Sequence, residues 1–214
     1  MDGATETAAG MLRTIRIVAW TLIALLGGAV VLAVSGVQLP GMPPNVRQGQ
    51  LPLAASIGGP FSLPSTAGGT VSSDSLKGKP FALFFGFTYC PDVCPTTLLD
   101  LSNTIKQLGP DADKMRYVFV SVDPARDTIE QLKLYLSSFD PHIIGTTGTE
   151  AQIANLARAY RAIYEKVPTK ESYTINHTAT TYLMDANGQF HGTLAYQENA
   201  DVVLKKLKRL IAGP

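Results

Sequence analysis

PFALFFGFTYCPDVCPTTLLDLSNTIKQLG, residues 80–109, is the stretch on which the reading of this chain turns. Residues 80–87 are a continuous apolar run of strand length. Such a run suits a strand buried on both faces, in a sheet covered by helices. Further on, Leu98, Leu101, Ile105 and Leu108 recur at helical spacing, Pro95 suits a first helical position, and Gly109-Pro110 ends the helix. Between strand and helix stand Cys90 and Cys94, the only cysteines in the chain. Their setting predicts a loop leading into a first helical turn, with both sulfurs directed to one spot at the carboxyl end of a buried strand. Open α/β sheets usually place ligands there.

Toward the carboxyl terminus the pattern stays regular. RYVFVSVD (116–123) reads as a strand. DTIEQLKLYLSSF (127–139) reads as a helix opened by a capping box of Asp127 and Glu130, and Thr149 with Gln152 has the same form ahead of the helix IANLARAY (153–160). Ile143-Ile144 is a short strand. Residues 180–184 and 189–196 flank Asp-Ala-Asn-Gly and predict a late hairpin, and Asn199 caps the last helix, DVVLKKLKRLI. Upstream, residues 60–63 and 69–73 predict a small hairpin around STAGG. Strands alternating with helices, followed by a hairpin, give an α/β layered domain.

The start of the chain differs. IVAWTLIALLGGAVVLAVSGVQL, residues 17–39, carries no charge and is long enough to cross a bilayer core of about 30 Å. Arg13 and Arg16 precede it and the next basic residue is Arg47, so residues 1–16 are expected in the cytoplasm and the remainder outside. A cleaved signal peptide ending near Ala33-Val34-Ser35 is the rival reading, although the apolar run exceeds a signal h-region of roughly 7–15 residues. Proline and glycine then dominate, and residues 40–57 read as a flexible tether to a domain over 58–214. With 18 Lys and Arg against 17 Asp and Glu, no basic surface for nucleic acid is expected.

The cysteine pair admits three readings. A structural disulfide closing so short a loop gains little stability, and a domain of roughly 170 residues does not need that staple. A redox couple or a metal site uses the pair better, because free N–H groups at a helix amino terminus favour thiolate. Two sulfur ligands suit Cu(I), zinc or iron–sulfur chemistry, and a histidine would have to complete a site. His142 follows Asp140-Pro141 near a helix end and is expected to be solvated. His191 is expected on the outer face of the late hairpin. His177, in SYTINHTATTYLMD at the entry to a buried strand, is open between ligand and structural histidine.

GGPFSL, KGKP, FFGFTYCPDVCPTTL, VFVSVDPARDT and the His177 segment running to YLMDANG together resemble the Sco (SenC) family, from about Gly58 to the carboxyl terminus. The resemblance implies a thioredoxin-like fold, a central mixed sheet flanked by helices with added amino-terminal and late hairpins, behind one transmembrane helix. It implies copper, Cu(I) or Cu(II), bound by Cys90, Cys94 and His177, and delivery to the Cu(A)-bearing subunit of cytochrome c oxidase. Another periplasmic copper chaperone or a thioredoxin-like reductant is a further expected partner. Asp123 and Arg126 match a family signature and are expected to orient loops or thiolates around the metal. The family commonly has aspartate before the histidine and serine after it, where this chain has Asn176 and Thr178. Asn176 can still hydrogen-bond without adding charge.

The expected location is a bacterial inner membrane, with a single pass and the domain in the periplasm, since the start lacks the look of a mitochondrial transit peptide. The alternative function is a thiol–disulfide oxidoreductase that reduces the Cu(A) cysteines of the oxidase subunit, although CxxxC departs from the CxxC of thioredoxins. A peroxiredoxin-like peroxidase fits less well, because Thr88 lies two residues before Cys90 rather than three.

Overall fold

A computed structural model of the chain describes residues 17–28 and 57–213. The chain divides into two units, Met1–Leu53 and Ala54–Pro214. In the first, residues 17–28 form a helix, α1, whose side chains Ile17, Trp20 and Leu25 are exposed. Residues 29–39 of the expected anchor lie outside the described residues, as do the expected segment 1–16 and the tether apart from Ile57. No helix among the described residues is long and apolar enough to cross a membrane.

The second unit opens with a hairpin of β1 (Ser62–Pro64) and β2 (Thr70–Ser72) around the STAGG turn, as expected, and a short helix α2 (Ser73–Leu76). Then come β3 (Phe81–Gly86), α3 (Val93–Leu108), a 3-10 turn over Gly109–Lys114, and β4 (Arg116–Ser121). Next are α4 (Ile129–Leu136), β5 (Ile143–Thr146), α5 (Glu150–Ala159), β6 (Tyr164–Pro168), β7 (Tyr173–His177), β8 (Thr181–Met184), β9 (Phe190–Leu194) and α6 (Ala200–Ala212).

β3 is the centre of a five-stranded sheet of order β5-β4-β3-β8-β9. It runs parallel to β4, with Phe81 beside Arg116 and Gly86 beside Ser121, and antiparallel to β8. All six residues of β3 are buried, which is why its sequence is apolar without alternation. The stripe Leu98, Leu101, Ile105 and Leu108 buries one face of α3 in the same core. This sheet of mixed direction under helices is a thioredoxin-like arrangement, and the carboxyl end of β3 feeds directly into the cysteine loop.

Two helix starts differ from expectation. α4 is capped by Thr128, whose Oγ1 accepts the Gln131 N–H at 3.2 Å, and not by Asp127 with Glu130. The Asp127 carboxylate is committed elsewhere, to the loop beside the cysteines. α3 begins at Val93, which makes Pro95 its third residue rather than its first. Asp92, at the N-cap, makes no side-chain capping bond. The capping box of Thr149 and Gln152 and the Asn199 cap both form as expected.

β6 and β7 were not anticipated. They pair antiparallel, from Tyr164 opposite His177 to Pro168 opposite Tyr173, in a two-stranded sheet of their own. His177 therefore closes this extra hairpin instead of opening the buried strand β8.

Candidate metal centre

The cysteine arm is built by close packing. Cys90 lies in the turn after β3, and Cys94 is the second residue of α3 and fully buried. Gly86, the last residue of β3, makes room for it: a Cβ there would stand 2.7 Å from Cys94 Sγ and 2.6 Å from the Phe119 ring. The Cys94 N–H, one of the free donors of the first helical turn, donates to Cys90 Sγ at 3.4 Å. Beneath the loop, buried Asp127 accepts three hydrogen bonds, from Thr88 N–H (2.9 Å), Thr88 Oγ1 (2.6 Å) and Ser121 Oγ (2.6 Å). These fix the residue two before Cys90.

The sulfurs share one proton unequally. A hydrogen bond from the Cys94 thiol pulls Cys90 down to about 4, against the opposing effect of burial, with smaller help from the N–H groups of Cys94 and Asp92. The same bond, burial and the charge on Cys90 push Cys94 up. The helix-terminus effect expected from the sequence is thus felt at Cys90, which accepts the helical N–H.

His177 arrives from the other side. Its Nε2 stands 3.3 Å from Cys94 Sγ and 4.0 Å from Cys90 Sγ. Its Nδ1 lies 3.1 Å from the Thr178 carbonyl oxygen, which can only accept. Nδ1 therefore carries a proton, and in the neutral ring Nε2 presents its lone pair to the sulfurs. The edges of Phe84 and Phe87 confine the ring, at centroid distances of 6.0 and 5.8 Å. One ligand atom from each of Cys90, Cys94 and His177 fits within a 4.8 Å span, which can hold a metal ion. An open groove lined by Phe87, Cys90, Pro91, Asn176 and His177 reaches the centre from outside.

The other expected residues fall around this centre. Asp123 is fully buried and paired with Arg126, whose Nη1 donates to the Tyr173 carbonyl at 3.0 Å. Tyr173, Ile175 and His177 alternate along one face of β7. Asn176 falls on the other face, exposed and directly across from Glu165. An aspartate at that position would oppose a carboxylate across the hairpin. Thr178 closes the hairpin: its Oγ1 accepts the Ile163 N–H at 2.9 Å, and its own N–H donates to the Ile163 carbonyl.

His191 is exposed on β9, as expected. His142 is not simply solvated: Nδ1 lies 2.6 Å from Asp140 and Nε2 3.2 Å from Asp113, and these carboxylates raise its pKa, Asp140 most. Sequence reading missed Asp127 and Tyr173 as parts of the site. The signal for Asp127 was the Asp-Thr pair at the helix start, where two cap residues stand and only one can cap.

A family model described as SCO1/SenC matches residues 49–212. The chain is 40% identical over 159 residues to "Protein SCO1 homolog 1, mitochondrial" of Arabidopsis thaliana, covering 73% of this chain and 47% of that protein. It spans about half the length of the curated relatives it matches. Among solved structures, copper-bound ScoI of Bradyrhizobium japonicum is similar at 48% identity and TM-score 0.69, over 72% of this chain and 99% of that one. BsSco, described with a disulfide switch and as a member of the Sco family of cytochrome c oxidase assembly proteins, is similar at 26% identity and TM-score 0.60, over 74% and 95% of the two chains.

Proposed function

This chain belongs to the SCO1/SenC family, and from that premise we propose that it is a copper chaperone that carries copper on Cys90, Cys94 and His177 and delivers it to the Cu(A) site of cytochrome c oxidase. The observation that carries the reading is the convergence of two soft sulfurs and one imidazole lone pair within a 4.8 Å span at the end of a groove. Two thiolates suit Cu(I), and the imidazole extends the site to Cu(II). The copper-bound relative supports the choice of metal, and the naming of BsSco among oxidase assembly proteins supports the client.

Cu(I) takes both sulfurs as thiolates, so loading a reduced centre releases protons. A centre with three protein ligands and an open side leaves room for a ligand from the acceptor, so copper can pass without first being set free. Residues 17–39 anchor the domain to the bacterial inner membrane on its periplasmic side, and residues 40–57 give the domain at 58–214 its reach. The titration of the reduced full-length chain with Cu(I) is the test. One copper taken up per chain supports the account; undiminished uptake by Cys90→Ser contradicts it.

One observation favours a second reading, a thiol–disulfide oxidoreductase acting on the Cu(A) cysteines. Cys90 is pulled toward the thiolate and is partly buried beside a second thiol, the arrangement of an attacking and a resolving cysteine. Disulfide reduction that persists in His177→Ala without copper would favour it. The two readings are compatible, since a Cys90–Cys94 disulfide has no thiolate to offer a metal.

A further inference from the structure

No backbone ladder ties His177 to the sheet that carries the cysteines, because β6 and β7 form a separate sheet. Yet Nε2 must come to 3.3 Å from Cys94 Sγ. Arg126 spans the gap. Its Nε donates to buried Asp123, and its Nη1 donates to the carbonyl of Tyr173, the first residue of β7. Its guanidinium carbon lies 3.8 Å from the centroid of the Tyr173 ring and 4.8 Å from that of Tyr89, the residue before Cys90. The Tyr173 hydroxyl closes the circuit by donating to the other oxygen of Asp123 at 2.8 Å. Asp123 is itself fixed just beyond β4, its N–H donating to Ser121 Oγ at 3.0 Å. One guanidinium thus grips both the strand that ends in His177 and the loop that carries Cys90.

Resting on the reading of His177 as a copper ligand, we propose that Arg126, acting through Tyr173, is the positioning residue for that ligand. Tyr173 and His177 share a face of β7 about 13 Å apart. Fixing the first therefore aims the second along a short, stiff strand. Other contacts also hold the hairpin: the Phe84 and Phe87 rings lie against the imidazole, and Tyr164 packs on the core. Ile175 is buried in the core, but hydrophobic burial is non-directional. Lys166 and Glu150 pair at 3.3 Å on the surface, where such pairs contribute little. The Asp123–Arg126–Tyr173 circuit alone combines directed hydrogen bonds with stacking, and it does so at the junction of the two arms.

The test uses the full-length chain as Arg126→Met, Arg126→Lys and Tyr173→Phe, with His177→Ala as reference. Hydrogen exchange of the metal-free protein reads the hairpin, and electron paramagnetic resonance of the Cu(II) form reads the nitrogen ligand. Arg126→Met is expected to speed exchange in β6 and β7 by about tenfold or more while β3 and β4 stay protected. It should also lose the nitrogen hyperfine coupling as His177→Ala does, with sulfur-to-copper charge-transfer bands retained. Tyr173→Phe, which removes one hydrogen bond and keeps the ring, moves both readouts the same way by a few-fold. Arg126→Lys falls between, since an ammonium cannot reproduce the planar stack. Unchanged exchange and intact nitrogen coupling in Arg126→Met and Tyr173→Phe overturn the proposal. Should Arg126→Met fail to fold, Tyr173→Phe decides on the same readouts. If the wild type takes up no copper while hairpin exchange rises as stated, the copper reading falls and the clasp stands.

Discussion

The two arms of the centre are held by different physics. Cys90 and Cys94 sit between a strand buried along its whole length and the apolar stripe of α3, over a buried carboxylate with three hydrogen bonds. His177 ends a hairpin that forms its own sheet, whose first strand is largely exposed and whose contacts with the domain run through Ile175, Tyr164, the Phe84 and Phe87 rings and one guanidinium. The difference suits a carrier. The sulfurs supply a fixed grip on a soft ion, while the third ligand rides on an element that can be released without unfolding the core.

Removing either sulfur should break the comparison most severely. Cys90→Ala and Cys94→Ala leave one thiolate and are expected to weaken Cu(I) binding on the order of a hundredfold or more, since even outer partners of metal ligands are worth 10–100-fold. Competition with a Cu(I) chelator measures this. Comparable loss on removing the imidazole alone would mean that the arms are not distinct. For His177→Ala the expectation is instead a loss of about 10–100-fold for Cu(II) and much less for Cu(I), which two thiolates satisfy.

Gly86→Ala sharpens the comparison from inside the rigid arm. The new methyl group would meet Cys94 Sγ and the Phe119 ring well inside contact distance. Overpacking of this kind costs about 1–3 kcal/mol, readable as a lower midpoint in urea, and it should displace Cys94 and weaken copper binding together. An equal loss of stability from Asn176→Asp, on the exposed face of the hairpin, is not expected. The carboxylate pair it makes with Glu165 should cost less than about 1 kcal/mol.

The smallest expected effect lies at the opposite end of the sheet and leaves both arms alone. His142 is held between Asp140 and Asp113 with its pKa raised by them. Its contribution to stability is complete below the ordinary histidine value of about 6.5 and is lost as pH rises through the folded value. Unfolding midpoints of the wild type should therefore drop slightly from pH 6 to pH 8 relative to His142→Gln. Copper affinity of the two proteins should stay equal at each pH.

The rigid arm was legible in the sequence because burial writes itself in composition. A strand covered on both faces must be apolar throughout, and a helix against it must repeat its leucines, so β3 and α3 stood out around the cysteines. The hairpin arm was not. YEKVP and YTINH are polar and lie half in solvent, and TKES between them has no Asn-Gly or glycine to mark a hairpin turn, so the segment merged with β8. The cysteine pair stood out from its setting with disulfide, redox and metal readings all open, whereas His177 gained its place from resemblance, and the fold brings it to the sulfurs. Asp127 was hidden because Asp and Thr at 127–128 both suit a helix cap, and only the packed loop shows which one the helix uses.

The most direct measurement is spectroscopy of the Cu(II)-loaded full-length chain beside His177→Ala. The account predicts sulfur-to-copper charge transfer in both proteins and nitrogen hyperfine coupling only in the wild type. Nitrogen coupling that survives the loss of His177, or charge transfer that survives the loss of both cysteines, would contradict it.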